Sequence, residues 1–189
     1  MFFDTFLDRA FGHPSGALGR LGGKLMARSK GEFTGWVVSE LELDPDDRVL
    51  EVGFGPGLGI ERFAEAVPDG FVAGVDASPV MVEQARKRNA AAIRSGLVEL
   101  RRGLADDLLS DDDIFDAAMT MNSVQAWADP VAGLREIRRV VKSGGTVAVA
   151  FTPHSGQSRE ELPALLAEAG FKDVRIKDRE DYFCAFGRI

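Results

Sequence analysis

Cysteine is almost missing from this chain: Cys184 is the only one in 189 residues. Neither a disulfide framework nor a Cys-rich metal site can be built from it, and no metal centre is expected. Basic charge is also in deficit. Twenty-three Lys and Arg stand against thirty Asp and Glu, for a net charge of −7. A non-specific nucleic-acid binder needs a basic footprint, so no nucleic-acid partner is expected. The pairs Arg101–Arg102 and Arg138–Arg139 read as members of solvated faces. No stretch approaches the roughly 20 apolar residues of a membrane span. The first residues, Met1 to Arg9, carry acids where a secretory leader has a basic region and lack its apolar run. A cytoplasmic location is therefore the default. Internal repeats and low-complexity tracts are absent too.

What is present describes a soluble globular chain, with 45% hydrophobic and 28% charged residues. Its length suits one domain with one substantial core. Residues 1–30 read differently from the rest. Phe2, Phe3, Phe6, Leu7, Ala10 and Phe11 recur at helical spacing. Gly12, Pro14, Gly16, Gly19, Gly22 and Gly23 then interrupt regular structure. This segment is expected to be an arm or lid preceding a domain at 31–189. A helix is predicted over 31–43, ending before Pro45.

From there strands and helices alternate. Strands are predicted at 48–52, 71–75, 97–100, 115–121 and 146–151, with closing strands at about 171–177 and 181–187. Helices are predicted at 58–67, from Pro79 to about Asn89 or Ala92, at 130–141, and at 158–169 ending on Gly170. Continuous apolar strands alternating with helices predict an α/β fold, a parallel sheet covered on both faces.

The strongest local signal is Glu51-Val52-Gly53-Phe54-Gly55-Pro56-Gly57-Leu58-Gly59. It leaves a predicted strand and enters a predicted helix, at the strand edge where open α/β sheets bind ligands. A dinucleotide fingerprint would read G-x-G-x-x-G. Starting at Gly53, Gly55 or Gly57, its last glycine falls on Leu58, Ile60 or Arg62, so no register fits. G-x-G-x-G fits instead. Glu51 adds negative charge beside the loop, which disfavours a pyrophosphate and suits a cationic ligand such as the sulfonium and ammonium of S-adenosylmethionine (SAM). Both points weigh against the rival reading, an NAD(P)-dependent oxidoreductase. Asp76 ends the second predicted strand. A carboxylate there can accept both hydroxyls of a ribose; alone, it could equally cap the helix that Pro79 opens. With the glycine loop beside it, ribose binding is preferred.

Here the chain resembles a known family. Leu50–Gly57 looks like the first motif of class I SAM-dependent methyltransferases, and Gly74–Met81 resembles their acidic second motif. Phe115–Asp116, Trp127–Pro130 and Leu134–Gly145 are similar to later motifs of the small-molecule, type 11-like branch. The resemblance runs over about residues 45–189, in order. It implies a Rossmann-like, doubly wound, seven-stranded and mostly parallel sheet whose last strand is antiparallel. It also implies a SAM site formed by Glu51, Gly53, Phe54, Gly55, Gly57, Asp76, Ala77, Met81, Leu104, Ala105 and Asn122, the last through its backbone.

The sequence departs from the pattern in two places. Many relatives have an acid after the third strand for the adenine amine, and Leu104 stands there. Either Asp106 substitutes, or backbone at Leu104 and Ala105 makes the contact. Relatives also often have a His pair before the tryptophan, where this chain has Gln125 and Ala126.

Methyl transfer from a sulfonium is an in-line displacement whose main demand is positioning. A general base helps only if the acceptor must lose a proton. The two histidines, His13 in the arm and His154 after the fifth strand, are the catalytic candidates. His154 reads first as a solvated loop residue. The Asn/Asp-Pro-Pro-aromatic motif of amino-methylating enzymes acting on adenine or glutamine is absent at Asn122-Ser123-Val124-Gln125. A small-molecule acceptor is expected, and the arm's aromatics suggest a lipophilic one. Only Thr152–Gln157 separates the fifth strand from the next helix, so the roof over the substrate must come from residues 1–30 or from a second subunit of a homodimer. A SAM-binding protein without catalysis is the other rival, because such enzymes have no compulsory catalytic residue. Tyr182 and Trp127 read as structural or pocket-bordering, and Cys184 as a small buried hydrophobe.

Overall fold

The computed structural model describes residues 31–153 and 155–189. The expected arm at 1–30, with His13, and the loop residue His154 lie outside the described residues. The account below concerns the compact unit Phe33–Ile189.

The first element among the described residues is the helix at 31–39 (α1). It stops short of the predicted end near residue 43 because Glu42 adopts a left-handed backbone (φ 53°). Strand β1 (Arg48–Val52) follows, with Val49 to Val52 all buried. Then come α2 (Leu58–Ala66), β2 (Phe71–Asp76), α3 (Pro79–Arg88), α4 (Ala90–Arg94), β3 (Val98–Arg102), β4 (Phe115–Met121), a 3-10 turn (Val124–Ala126), α5 (Pro130–Val140), β5 (Val141–Phe151), α6 (Leu162–Glu168), β6 (Lys172–Arg179) and β7 (Tyr182–Arg188).

The seven strands form one sheet in the order β3-β2-β1-β4-β5-β7-β6. Strands β1 to β5 pair in parallel, and β7 runs antiparallel to both β5 and β6. This is the doubly wound sheet with an antiparallel last strand that the sequence led us to expect. The chain winds outward from β1 in one direction and from β4 in the other. The carboxyl ends of β1 and β4 therefore flank a topological switch point, where such sheets open a crevice.

Alternation along the strands builds a core on each face. Ala117, Met119 and Met121 face Phe33, Val37, Ile60, Phe63 and Val82 of the first helices. Ala118, Val147, Val149 and Phe151 face Leu134, Ile137, Leu162 and Leu166 of α5 and α6. Cys184 is buried in the first core, as expected, and burial pushes its thiol well above its ordinary titration range.

Two further boundaries differ from the sequence expectation. Helix α6 begins at Leu162 rather than 158, because Pro163 is tolerated only in a first helical turn. Strand β5 starts at Val141, so Lys142–Gly145 is drawn into the sheet; the β4–β5 register slips there, with Gly144 at φ 84°. Helix α3 ends at Asn89, the nearer of its two expected ends, and α4 starts one residue on. Among the described residues no helix is long and apolar enough to cross a membrane, and no cluster of three or more His, Cys, Asp or Glu could hold a metal.

Candidate functional site

Because β1 to β4 are adjacent and parallel, the segments that follow them meet at one edge of the sheet: Gly53–Gly57, Ala77, Gly103–Ala105 and Asn122–Ser123. Backbone bonds join these segments to their neighbours. The Gly53 amide donates to Val75 O at 2.7 Å, the Gly103 amide to Asp76 O at 3.1 Å, and the Asn122 amide to Ala150 O at 3.0 Å.

The loop's first two glycines are needed for different reasons. Gly53 has φ 74°, and a Cβ there would run into the Ser123 hydroxyl. This is a close approach between the loop after β1 and the loop after β4. Gly55 also has positive φ (53°), but a Cβ there would meet nothing within 4 Å among the described residues. Among the described residues, the backbone of Gly55 borders open space, with no side chain of its own to keep a ligand away. The Phe54 side chain, in contrast, is buried in the first core, so only its backbone is available at the loop.

Two carboxylates flank this loop. Asp76 is half-buried; its Oδ2 accepts from the Gly55 amide and its Oδ1 from the Ser78 amide, each at 2.8 Å. Burial pushes the carboxyl above its ordinary value of 3.8, against the pull of the two amides. Capping of α3, weighed as an alternative role for Asp76, belongs to Ser78, whose hydroxyl accepts from the Met81 amide at 3.4 Å. Glu51 is 3% exposed at the end of β1, and a Cβ on Gly59 would overlap its carboxylate. The glycine of the following helix is what makes room for a buried acid.

Across the switch point, Asn122 holds a left-handed backbone (φ 51°), a conformation that costs a non-glycine residue free energy and gathers at functional sites. Its side chain supports the strain. Nδ2 donates to Thr152 Oγ1 at 3.0 Å, and Oδ1 accepts from the Thr152 amide at 2.9 Å. The Asn122 side chain therefore clamps β4 to β5. Ser123 Oγ accepts from the Trp127 indole at 2.8 Å, and the Trp127 ring packs against Gly133 beside Ala105.

Of the other expected residues, Ala77 is exposed and Met81 half-buried in the first turn of α3. Leu104 is 60% exposed and Ala105 half-buried, while Asp106 is exposed. Tyr182 lies against Phe33, ring centroids 4.6 Å apart, in a packing role.

Sequence reasoning missed several supports. Arg138 and Arg139 are not simply solvated. Arg139 Nη1 donates to Ser110 O (2.9 Å) and Asp112 Oδ1 (2.6 Å), and Nη2 to Leu108 O (2.9 Å) and Glu136 Oε2 (2.8 Å). Glu136 Oε2 in turn accepts from the Leu108 amide, and Arg139 holds the Glu136 carboxyl below its ordinary value. This network ties the loop after Ala105 to α5. The i,i+3 spacing of Glu136 and Arg139 was the available signal. Replacing Arg139 with Ala removes its bonds to Ser110 O, Asp112, Leu108 O and Glu136, leaving Leu108 O to the Ser110 amide and Glu136 to the Leu108 amide. We expect a loss of about 2 kcal/mol, read as a melting-temperature drop of about 4–8 °C.

The chain is similar to known methyltransferases. A family model described as a methyltransferase domain matches residues 49–145. YdaC, an uncharacterized methyltransferase of Bacillus subtilis, is 26% identical over 165 residues, 83% of this chain and 89% of its own length. The demethylmenaquinone methyltransferase of Symbiobacterium thermophilum is 36% identical over 121 residues, 62% of this chain but 48% of its own. A SAM-dependent methyltransferase structure from Aquifex aeolicus superposes with a TM-score of 0.74 at 22% identity, covering 82% of this chain and 89% of that one. At that identity the likeness concerns the fold.

Proposed function

The chain belongs to the class I SAM-dependent methyltransferase family, and we propose that it transfers the methyl group to a small-molecule acceptor at the edge formed by Gly53–Gly57, Asp76 and Asn122. The observation that carries this reading is the open face of Gly55 beside a desolvated Asp76 carboxylate. A cationic nucleoside fits these residues. The backbone approaches it closely, the buried Glu51 and Asp76 supply negative charge, and each Asp76 oxygen keeps a second lone pair for a ribose hydroxyl.

When bound, SAM supplies an electrophilic methyl carbon with a neutral thioether as leaving group. The chain's own work is holding. Glu51, with the backbone of Gly53, Phe54, Gly55 and Gly57, receives the amino-acid end. Asp76, Ala77 and Met81 receive the ribose side, and backbone at Leu104 and Ala105 the adenine. Asn122, with its side chain spent on Thr152, offers only backbone. Holding reactants in line is worth roughly 7–11 kcal/mol, so the reaction does not require a base unless the acceptor must lose a proton.

The test is calorimetry with SAM and with NADH, followed by a metabolite panel assayed for S-adenosylhomocysteine release. Demethylmenaquinone belongs in the panel because a relative carries that activity in its name. Tighter binding of NADH than of SAM would overturn the reading. SAM binding without turnover of any acceptor would favour a non-catalytic SAM-binding protein.

Asp76 also predicts a pH dependence. An ionised carboxylate holds two ribose hydroxyls more strongly than a protonated one, and burial raises the Asp76 pKa from 3.8. SAM affinity should fall as pH drops through this elevated pKa. The linkage to stability has the opposite sense. The ligand-free fold binds this proton more tightly than the unfolded chain, so the contribution is present at acid pH and lost as pH rises through the folded pKa. Calorimetry across the acid range checks the first statement; an affinity that does not change with pH would refute it.

A further inference from the structure

We propose that Asn89 is a positioning residue for the cofactor loop, working with Arg88 to clamp Pro56 and Gly57 from the end of α3. The inference rests on the SAM reading for its consequences but on geometry for its substance. Three consecutive loop residues are held by the two ends of one strand–helix unit. At the end of β2, Asp76 Oδ2 accepts from the Gly55 amide at 2.8 Å. At the end of α3, Arg88 Nε donates to Pro56 O at 3.1 Å, and Asn89 Nδ2 donates to Gly57 O at 3.0 Å.

Asn89 is only 5% exposed, and burying an amide costs free energy unless it is hydrogen-bonded. A helix-terminal Asn would ordinarily serve its own helix, and Nδ2 does donate to Ala85 O at 3.0 Å. That acceptor is already supplied by the Asn89 backbone amide, at 2.9 Å, and Gly57 O already accepts from the Glu61 amide at 3.2 Å. Neither carbonyl depends on the side chain. What the side chain adds is a tether between the helix and a loop 32 residues away. The contact also explains the third glycine. A Cβ on Gly57 (φ 82°) would stand 2.7 Å from Asn89 Nδ2 and 2.7 Å from Ala85 Cβ, so the amide occupies the place a side chain would take.

The loop presents the open face of Gly55. Loosening Gly57 and Pro56 lets that face wander before a ligand arrives, so the ligand must order it on binding. The test uses Asn89→Ser, whose hydroxyl can still reach Ala85 O but not Gly57 O, Asn89→Leu, which removes both bonds at similar volume, and the exposed Arg88→Ala. In the ligand-free protein, exchange of the Gly55 and Gly57 amides is expected to speed up about tenfold in both Asn89 variants. SAM affinity should weaken about five-fold, as suits one net hydrogen bond. With any acceptor found, KM for SAM should rise and kcat at saturating SAM stay within about twofold. Folded Asn89 variants with wild-type exchange and wild-type SAM affinity would overturn the proposal. If the Asn89 variants do not fold, Arg88→Ala decides: faster Gly57 exchange with weaker SAM binding supports it, and unchanged values reject it. A wild-type protein that does not bind SAM would fail the functional reading, while amide exchange would still judge the clamp.

Discussion

Gly55→Val is expected to abolish detectable SAM binding and to leave the circular dichroism spectrum near native. Among the described residues, chain neighbours aside, nothing lies within 4 Å of a Cβ at this position, so the first atom of the new side chain meets none of them. It does enter the space that the loop backbone leaves for a ligand. The backbone cost is real but bounded: φ is 53°, and an L-residue held there loses roughly 1–2 kcal/mol, within the stability of an ordinary domain. Gly53→Val is the contrast. There φ is 74°, and a Cβ would collide with the Ser123 hydroxyl that anchors the Trp127 indole. That variant should lose stability as well as binding. Calorimetry with SAM and thermal melts on both proteins make the comparison. Normal SAM affinity in folded Gly55→Val would remove the loop from the site.

Asp76→Ala should weaken SAM binding at least about tenfold. A carboxylate accepting two ribose hydroxyls loses charge-assisted bonds worth roughly 1.5–3 kcal/mol each, and about 1.4 kcal/mol is a factor of ten in affinity. The same carboxylate holds the Gly55 and Ser78 amides, so part of the loss comes from a loosened loop. Amide exchange at Gly55 reports that part separately. The fold should survive, because the removed carboxylate is desolvated and its charged form carries a burial penalty that alanine does not. Unchanged affinity by calorimetry would refute the assignment.

Much of this was legible in the chain itself. The continuous apolar runs of β1 and β4 and the strand–helix alternation needed only side-chain periodicity. The G-x-G-x-G spacing from Gly53 to Gly57 and the acid at Asp76 needed only their positions relative to strand ends. Family resemblance supplied the seven strands and the antiparallel last one, which periodicity alone does not specify; the strand order came from the structure.

What the sequence determined by itself was set by forces acting within a turn or two of the chain: strand and helix pattern, and the placement of loops at strand ends. What the tertiary structure decided depended on elements meeting after they had packed. Ser78, not Asp76, caps α3, because the Asp76 carboxylate is drawn to the Gly55 amide 21 residues away. Gly53 must be glycine on account of Ser123, which follows a different strand. Arg139 leaves solvent for the carbonyls of Leu108 and Ser110. Asn89 reads locally as a helix end, yet one of its two amide donors goes to Gly57. A hydrogen bond between residues distant in sequence has no local pattern, since its partner is chosen by the register and packing of the sheet.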